Sequence, residues 1–146
     1  MTTRLTITAA LVLAGMLAGA AAEHPSPEAV VQTQLEAYNA RNLEAFLATY
    51  AEDAELTDLP GGVFARGHVD MRERYTKTFA DPTLHAEIVK RIVVGNTVVD
   101  HERVRRRFPE GPGTLDAIAI YAVETGRITR VWFRVGERKL DATPDS

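Results

Sequence analysis

The sequence predicts an α+β fold: three N-terminal helices packed on one face of a strongly curved, mostly antiparallel sheet. Three observations carry this. Helical spacing of apolar residues is confined to the region between about residues 27 and 80, where the only strand-like piece is brief. After Asp81-Pro82 the chain turns to β-branched and alternating segments. Those segments are separated by Gly95-Asn96 and Thr125-Gly126, dipeptides suited to tight hairpins. Helices first and strands afterwards leave no room for repeated strand–helix–strand units, so the helices must gather on one face of the sheet.

Ser26-Pro27-Glu28 reads as a helix start: a capping hydroxyl, a first-turn Pro and a first-turn acid. Val31, Leu35 and Tyr38 follow at helical spacing, and this helix ends near Asn39 to Arg41. Asn42 can cap a short second helix carrying Phe46, Leu47 and Tyr50. Residues 54–59 predict a brief strand stopped by Pro60-Gly61-Gly62. A third helix is expected from about His68 to Ala80, with Met71, Tyr75 and Phe79 on one stripe. Residues 83–94 and 97–108 form a hairpin, 109–113 a loop, and 114–124 and 127–135 the last two strands. Residues 137–146, polar and Pro-containing, are expected to be a flexible tail.

The first 22 residues stand apart. Met1 to Arg4 is basic, Leu5 to Leu17 is almost wholly apolar, and Ala18-Gly19-Ala20-Ala21-Ala22 supplies small residues for cleavage. That pattern predicts a secretory signal peptide over 1–22, a secreted or periplasmic protein, and no stable membrane insertion after cleavage. The folded domain is expected over 23–136. The chain has no cysteine, which excludes disulfides, thiolate metal sites and a lipid-bearing cysteine. With 17 basic against 20 acidic residues and a net charge of −3, nothing suggests a nucleic-acid partner.

Ala29-Val30-Val31-Gln32, then Tyr38-Asn39-Ala40-Arg41-Asn42-Leu43, then Tyr50-Ala51-Glu52-Asp53-Ala54 resembles the opening of NTF2-like proteins. Gly67 before the third helix and Gly126-Arg127-Ile128-Thr129-Arg130-Val131-Trp132 resemble the same family's later signatures. The likeness is to SnoaL-like and ketosteroid-isomerase-like members and spans about residues 27 to 136. It implies a cone-shaped sheet around the first helix, with a small apolar ligand in the open end. The fold hosts isomerases, dehydratases, hydrolases, cyclases and non-catalytic binders, so it does not by itself fix an activity. In the isomerases a carboxylate moves a proton while a Tyr and a protonated acid hold the oxyanion. The resemblance places the carboxylate at Asp58 and a supporting Tyr at Tyr75. The helix-one Tyr falls on Gln34 and the later acid on Ala119, two departures that argue against plain ketosteroid isomerisation.

The candidate catalytic residues are therefore Asp58, Tyr75 and His101, each with a blander reading beside it. Asp58 also suits a turn before Pro60, bonded to local backbone. Tyr75 also suits core packing with its hydroxyl at a pocket wall. A histidine is a plausible acid or base near neutral pH, but His101 also suits pairing with a neighbouring carboxylate on the outer sheet face. Alternation leaves open whether Val99, His101 and Arg103 or Asp100, Glu102 and Val104 face the cone. Gln34, Tyr38, Tyr50, Ala119, Tyr121 and Phe133 are the candidate ligand-lining positions. His24, His68, His85 and His101 are scattered without metal-ligand spacing, so neither a metal nor another cofactor is expected. Arg103, Arg105, Arg106 and Arg107 make one basic cluster, by default a solvated sheet edge. Trp132 and Phe133 must point to opposite sides of the last strand, and an exposed aromatic there suits a homodimer interface.

Two main readings stand at this level, beside a third in which the cone is filled by its own side chains and only dimer or partner contacts remain. One is acid–base chemistry on a small, mostly apolar carbonyl or hydroxyl compound, with Asp58 as base. The other is a non-catalytic module that binds an apolar ligand or a partner protein.

Overall fold

The computed structural model describes residues 23–142. The predicted signal peptide and the last four residues of the predicted tail lie outside that range. The elements run α1 (Pro27–Asn39), α2 (Leu43–Ala48), β1 (Tyr50–Asp58), β2 (Gly62–Arg66), α3 (Gly67–Thr78), β3 (His85–Val94), β4 (Thr97–Phe108), β5 (Gly111–Glu124) and β6 (Arg127–Leu140). The six strands form one sheet in the order β2-β1-β6-β5-β4-β3. β1 and β6 run parallel and the remaining pairs antiparallel, so the architecture is the mostly antiparallel α+β cone that the element order predicts.

The local signals act as expected. The Ser26 hydroxyl accepts from the Ala29 amide at 3.2 Å, and the Asn42 side chain accepts from Ala45 at 3.1 Å. These bonds use two amides that would otherwise lack partners at the helix starts. Asn39, at the end of α1, treats edge strand β3 as a neighbouring strand would. Its amide donates to the Ala86 carbonyl at 2.9 Å and its carbonyl accepts from the Ala86 amide at 2.8 Å.

Helices α1, α2 and α3 fill the narrow end of the cone with rings. Phe46 is fully buried at the centre. Its ring centroid lies 4.4 Å from Tyr75, 5.0 Å from Tyr50, 5.4 Å from Phe79 and 6.1 Å from Tyr38. A second, smaller cluster of Leu84, Ala86, Val104, Phe108, Leu115 and Ala117 lines the wider end.

Alternation decides which side chains face inward. On β4 the buried positions are Val98, Asp100, Glu102, Val104 and Phe108; on β5 they are the odd-numbered ones from Gly113 to Val123. The register pairs Asp100 with Ala119, Glu102 with Ala117 and Val104 with Leu115, one face throughout.

Three expectations need correction. β2 exists: β1 ends at Asp58, before Pro60 as expected, but the turn reverses the chain into a short hairpin. Gly67 (φ +70°) then closes the turn into α3, at a place where a Cβ would sit 2.8 Å from the Glu52 carbonyl oxygen. The loop expected over 109–113 shrinks to Pro109-Glu110, with β5 beginning at Gly111. Finally, the domain boundary at residue 136 falls inside β6. Gly113 to Leu115 pair with Arg138 to Leu140, and the Asp141 amide donates to the Pro112 carbonyl. Backbone ladders need no apolar side chains, so a polar segment can continue a strand that protrudes beyond the core.

Because five aromatic rings meet at Phe46, Phe46→Ala is expected to destabilise the protein by about 3–5 kcal/mol. Urea unfolding of the two proteins measures this; a loss below about 1 kcal/mol would mean that the cluster does not hold the helices to the sheet.

Candidate functional site

The wide end of the cone holds a cavity of about 170 Å³ between α1, α3 and the concave side of the sheet. An engineered apolar cavity of ~150 Å³ accepts benzene, so this space suits a compound of about one ring.

α1 contributes Gln34 and Tyr38, whereas α3 contributes Arg74, Tyr75 and Thr78. From the sheet come Asp58 at the end of β1, Glu102 and Arg106 on β4, Tyr121 on β5 and Phe133 on β6. Six of the nine positions singled out in the sequence therefore line the cavity: Gln34, Tyr38, Asp58, Tyr75, Tyr121 and Phe133. Tyr50 does not; it lies behind Gln34, whose amide donates to its hydroxyl at 3.1 Å. Ala119 does not either. It is fully buried on the inward face, paired with Asp100 on one side and Phe133 on the other.

His101 is corrected as a catalytic candidate and takes its blander reading, a pairing with a carboxylate on the outer face. It sits on the outer face of the sheet, away from the cavity, because its neighbour Glu102 takes the inward position. Its Nε2 lies 3.0 Å from Asp116 Oδ2, and Arg103 Nε donates to the other oxygen of the same carboxylate at 3.0 Å. These bonds, Arg103 first and His101 second, hold the Asp116 carboxyl down at about 2. The cluster belongs to the sheet surface.

Glu102 is the group that sequence reasoning missed. It is only 9% exposed, and Tyr121 donates to its Oε1 at 3.0 Å. Burial penalises the charged carboxylate and the Asp100 charge adds to that penalty. The Tyr121 hydrogen bond and the Arg91 charge oppose them, leaving the group pushed up to about 7. Asp100, still deeper, is treated differently. Arg91 clamps it with two bonds, Nε to Oδ1 at 2.7 Å and Nη2 to Oδ2 at 2.8 Å, and Arg91 is itself held by Gln32. Burial also raises the phenols of Tyr38, Tyr75 and Tyr121, so all three remain neutral donors at physiological pH.

A usable signal for Glu102 existed. Among residues 97–108, the even positions hold three large apolar side chains, Val98, Val104 and Phe108, and the odd ones hold a single large aliphatic, Val99. Counting apolar residues on each face selects the even face as inward and carries Asp100, Glu102 and Arg106 with it.

Asp58 occupies a different setting. It is half-buried at the rim, where its charge is felt at the Tyr75 phenol. Two carboxyl groups thus share one cavity, one at the rim and one desolvated against a phenol. Such a pair of unlike environments separates acid from base roles. Among the described residues, no group of three or more His, Asp or Glu side chains is placed to hold a metal ion. No helix among them is long and apolar enough to cross a membrane.

The SnoaL-like domain family matches residues 31–131. Among solved structures, a cystatin-fold protein from Novosphingobium aromaticivorans is 26% identical with a TM-score of 0.68, over 75% of this chain and 97% of its own. A candidate polyketide cyclase from Sinorhizobium meliloti is also 26% identical, with a TM-score of 0.60 over 71% of this chain and 92% of its own. A protein of ketosteroid-isomerase-like fold from Catenulispora acidiphila, solved with trimethylamine, shares 19% identity at a TM-score of 0.64. It covers 75% of this chain and 85% of its own. No curated protein matches.

Glu102 gives a signed pH dependence. Its folded value of about 7 lies above the ordinary 4.5, so the folded state binds this proton more tightly than the unfolded chain. The associated stability is present below about pH 4.5 and is lost as pH rises through 7. Glu102→Gln removes that loss. Between pH 4 and 8 the parent protein should therefore lose about 3 kcal/mol more than the variant in urea unfolding. Identical pH profiles for the two proteins would contradict the assignment.

Proposed function

The chain belongs to the SnoaL-like domain family, and from that premise we propose that it is an acid–base enzyme acting on a small carbonyl or hydroxyl compound held in the cone. The observation that carries this reading is the Glu102 carboxyl, buried in the cavity wall and poised near neutrality. A group with such a value is partly protonated at pH 7, so it can donate to an oxygen on which negative charge develops and take the proton back. Asp58 stands on the far side of the cavity, three strand positions away in the sheet order β1-β6-β5-β4. Along the sheet that separation is ~14 Å at ~4.8 Å per strand, and the curvature shortens it across the cavity. A one-ring substrate fits between the two groups.

In this mechanism Asp58 removes a proton from the carbon next to a carbonyl. Protonated Glu102, aligned by Tyr121, donates a hydrogen bond to the enolate oxygen. Tyr75 and Phe133 supply apolar walls that keep water from the enolate. Gln34 acts indirectly, since its amide is already bonded to the Tyr50 hydroxyl. The acid that the resemblance would place at Ala119 is instead supplied from the neighbouring strand. The proposal extends to location: the basic start, apolar run and Ala-rich end of residues 1–22 support export, to the periplasm or beyond the cell.

Exchange of the α-hydrogens of cyclohexanone in D₂O, followed by proton NMR, tests the chemistry without knowledge of the natural product. Asp58→Asn and Glu102→Gln are each expected to slow exchange by about 10²–10⁴-fold. Catalysed exchange that is equal in parent and both variants would remove these residues from the mechanism. Binding without any catalysed exchange by the parent protein would favour a carrier.

The outer face of the sheet supports a second proposal, a homodimer. Ile92 and Ile118 are 51% and 37% exposed there, and Val99, Ile120 and Trp132 are half-buried beside them. The purified chain is expected to run as a dimer in light-scattering chromatography, and Ile118→Arg to run as a monomer. A monomeric parent at tens of micromolar would refute this.

A further inference from the structure

The cavity contains more positive charge than a neutral apolar ligand needs. Arg74 and Arg106 both line it, against Asp58 and a Glu102 that is neutral for much of the time at pH 7. Arg66, Arg72, Arg91, Arg103 and Arg105 each have a carboxylate within bonding distance. Neither lining arginine has one among the described residues.

The two differ in setting. Arg74 is an exposed residue of α3 whose guanidinium lies over the Phe64 ring at 4.2 Å, a contact that needs no anion. Arg106 is half-buried, and its Nε is fully buried with no hydrogen-bond acceptor. Asp81 feels its charge but makes no bond to it, and the Asp81 oxygens are engaged elsewhere. Oδ1 accepts from the Thr83 amide and hydroxyl, at 2.9 and 2.7 Å, and Oδ2 accepts from the Arg107 amide at 2.6 Å. The Phe108 ring lies 5.9 Å from the Arg106 guanidinium carbon, so this cation has a weak aromatic neighbour and, among the described residues, no carboxylate within bonding distance.

From these observations we propose that the substrate is a carboxylic acid, and that Arg106 binds its carboxylate while the carbonyl part of the molecule lies toward Glu102. The inference rests on the acid–base reading above and adds the chemical class of its substrate. A guanidinium presents a planar fork of N–H groups that matches the two oxygens of a carboxylate. Buried charge of this kind is ordinarily paired. The spacing fits as well. Glu102, Val104 and Arg106 face the same side of β4, so the two polar groups spring from Cα atoms ~13 Å apart with an apolar residue between them. Both groups line the one cavity, whose volume suits a single ring with an oxygen function at each end. Tyr38, a neutral phenol within reach of the charges of both Arg106 and Glu102, can donate to either end of such a molecule.

The probes are 4-oxocyclohexanecarboxylate and its carboxamide, which share a ring and a ketone and differ in charge. Their binding to the purified chain is measured by titration calorimetry at pH 7. The acid should bind at least about tenfold more tightly than the amide. Arg106→Gln should bring the two within about threefold of each other, chiefly by weakening the acid, and a parent-like urea-unfolding curve reports that the variant is folded. Arg74→Gln should keep the preference for the acid. An amide that binds the parent protein as well as the acid does overturns the proposal with no variant needed. So does a preference that survives Arg106→Gln or disappears only with Arg74→Gln. Because binding is read without turnover, these results stand apart from cyclohexanone exchange, which tests Asp58 and Glu102 alone.

Discussion

Strand β4 turns Asp100, Glu102 and Arg106 toward the concave side of the sheet, and the fold must accommodate three ionisable groups where apolar residues would ordinarily sit. Each is treated according to its depth. Asp100, almost wholly buried, is paired: Arg91 crosses from β3 to form two bonds with it, and Gln32 on α1 holds that arginine. Glu102 sits one pleat further along and forms no salt bridge; a phenol and a raised affinity for its proton take that place. Arg106 follows on the same face and lines the cavity, with no carboxylate within bonding distance among the described residues. The same strand thus passes from a closed ion pair, to a titratable acid, to an open cation. That gradient gives the cavity its chemical direction.

The rest of the molecule makes the gradient possible. One long helix cannot cover the whole concave surface. α1 and the two shorter helices therefore seal the narrow end around Phe46 and leave the wide end open. The rings that seal it also desolvate the polar groups nearest to them, which is why the Tyr50 hydroxyl needs Gln34 and the Glu102 carboxyl needs Tyr121. Parallel pairing of β1 with β6 brings the end of β1 to the rim, so Asp58 reaches the cavity from the side opposite Glu102. At the wide end β5 and β6 approach closely: a Cβ on Gly113 would sit 2.4 Å from the Lys139 carbonyl oxygen. That contact lets a polar strand end continue past the core.

Much of this was legible in the sequence, and the failures have specific causes. Capping residues, periodic apolar positions and the Gly95-Asn96 turn are local signals, and each fixed its element to within a few residues. β2 was missed because five residues after a Pro-Gly turn carry too little pattern to register as a strand. The end of β6 was missed because polarity was read as fraying, although backbone pairing is indifferent to side-chain polarity. Within the site, Asp58 and Tyr75 were found through their resemblance to a known arrangement. Glu102 and Arg106 were not, because they have no counterpart in that arrangement. His101 drew attention as the obvious near-neutral group, yet a neutral-range value belongs to whichever side chain the fold desolvates. Here that is the carboxylate next to it. A one-residue change of strand face separates the two readings.

The most direct measurement is a carbon-detected NMR titration of the Glu102 side-chain carboxyl, assigned by its loss in Glu102→Gln. Desolvation against Tyr121 predicts a midpoint near 7. A midpoint near the ordinary 4.5 would show a solvated carboxylate at the cavity wall, and the acid–base account built on Glu102 would fail with it.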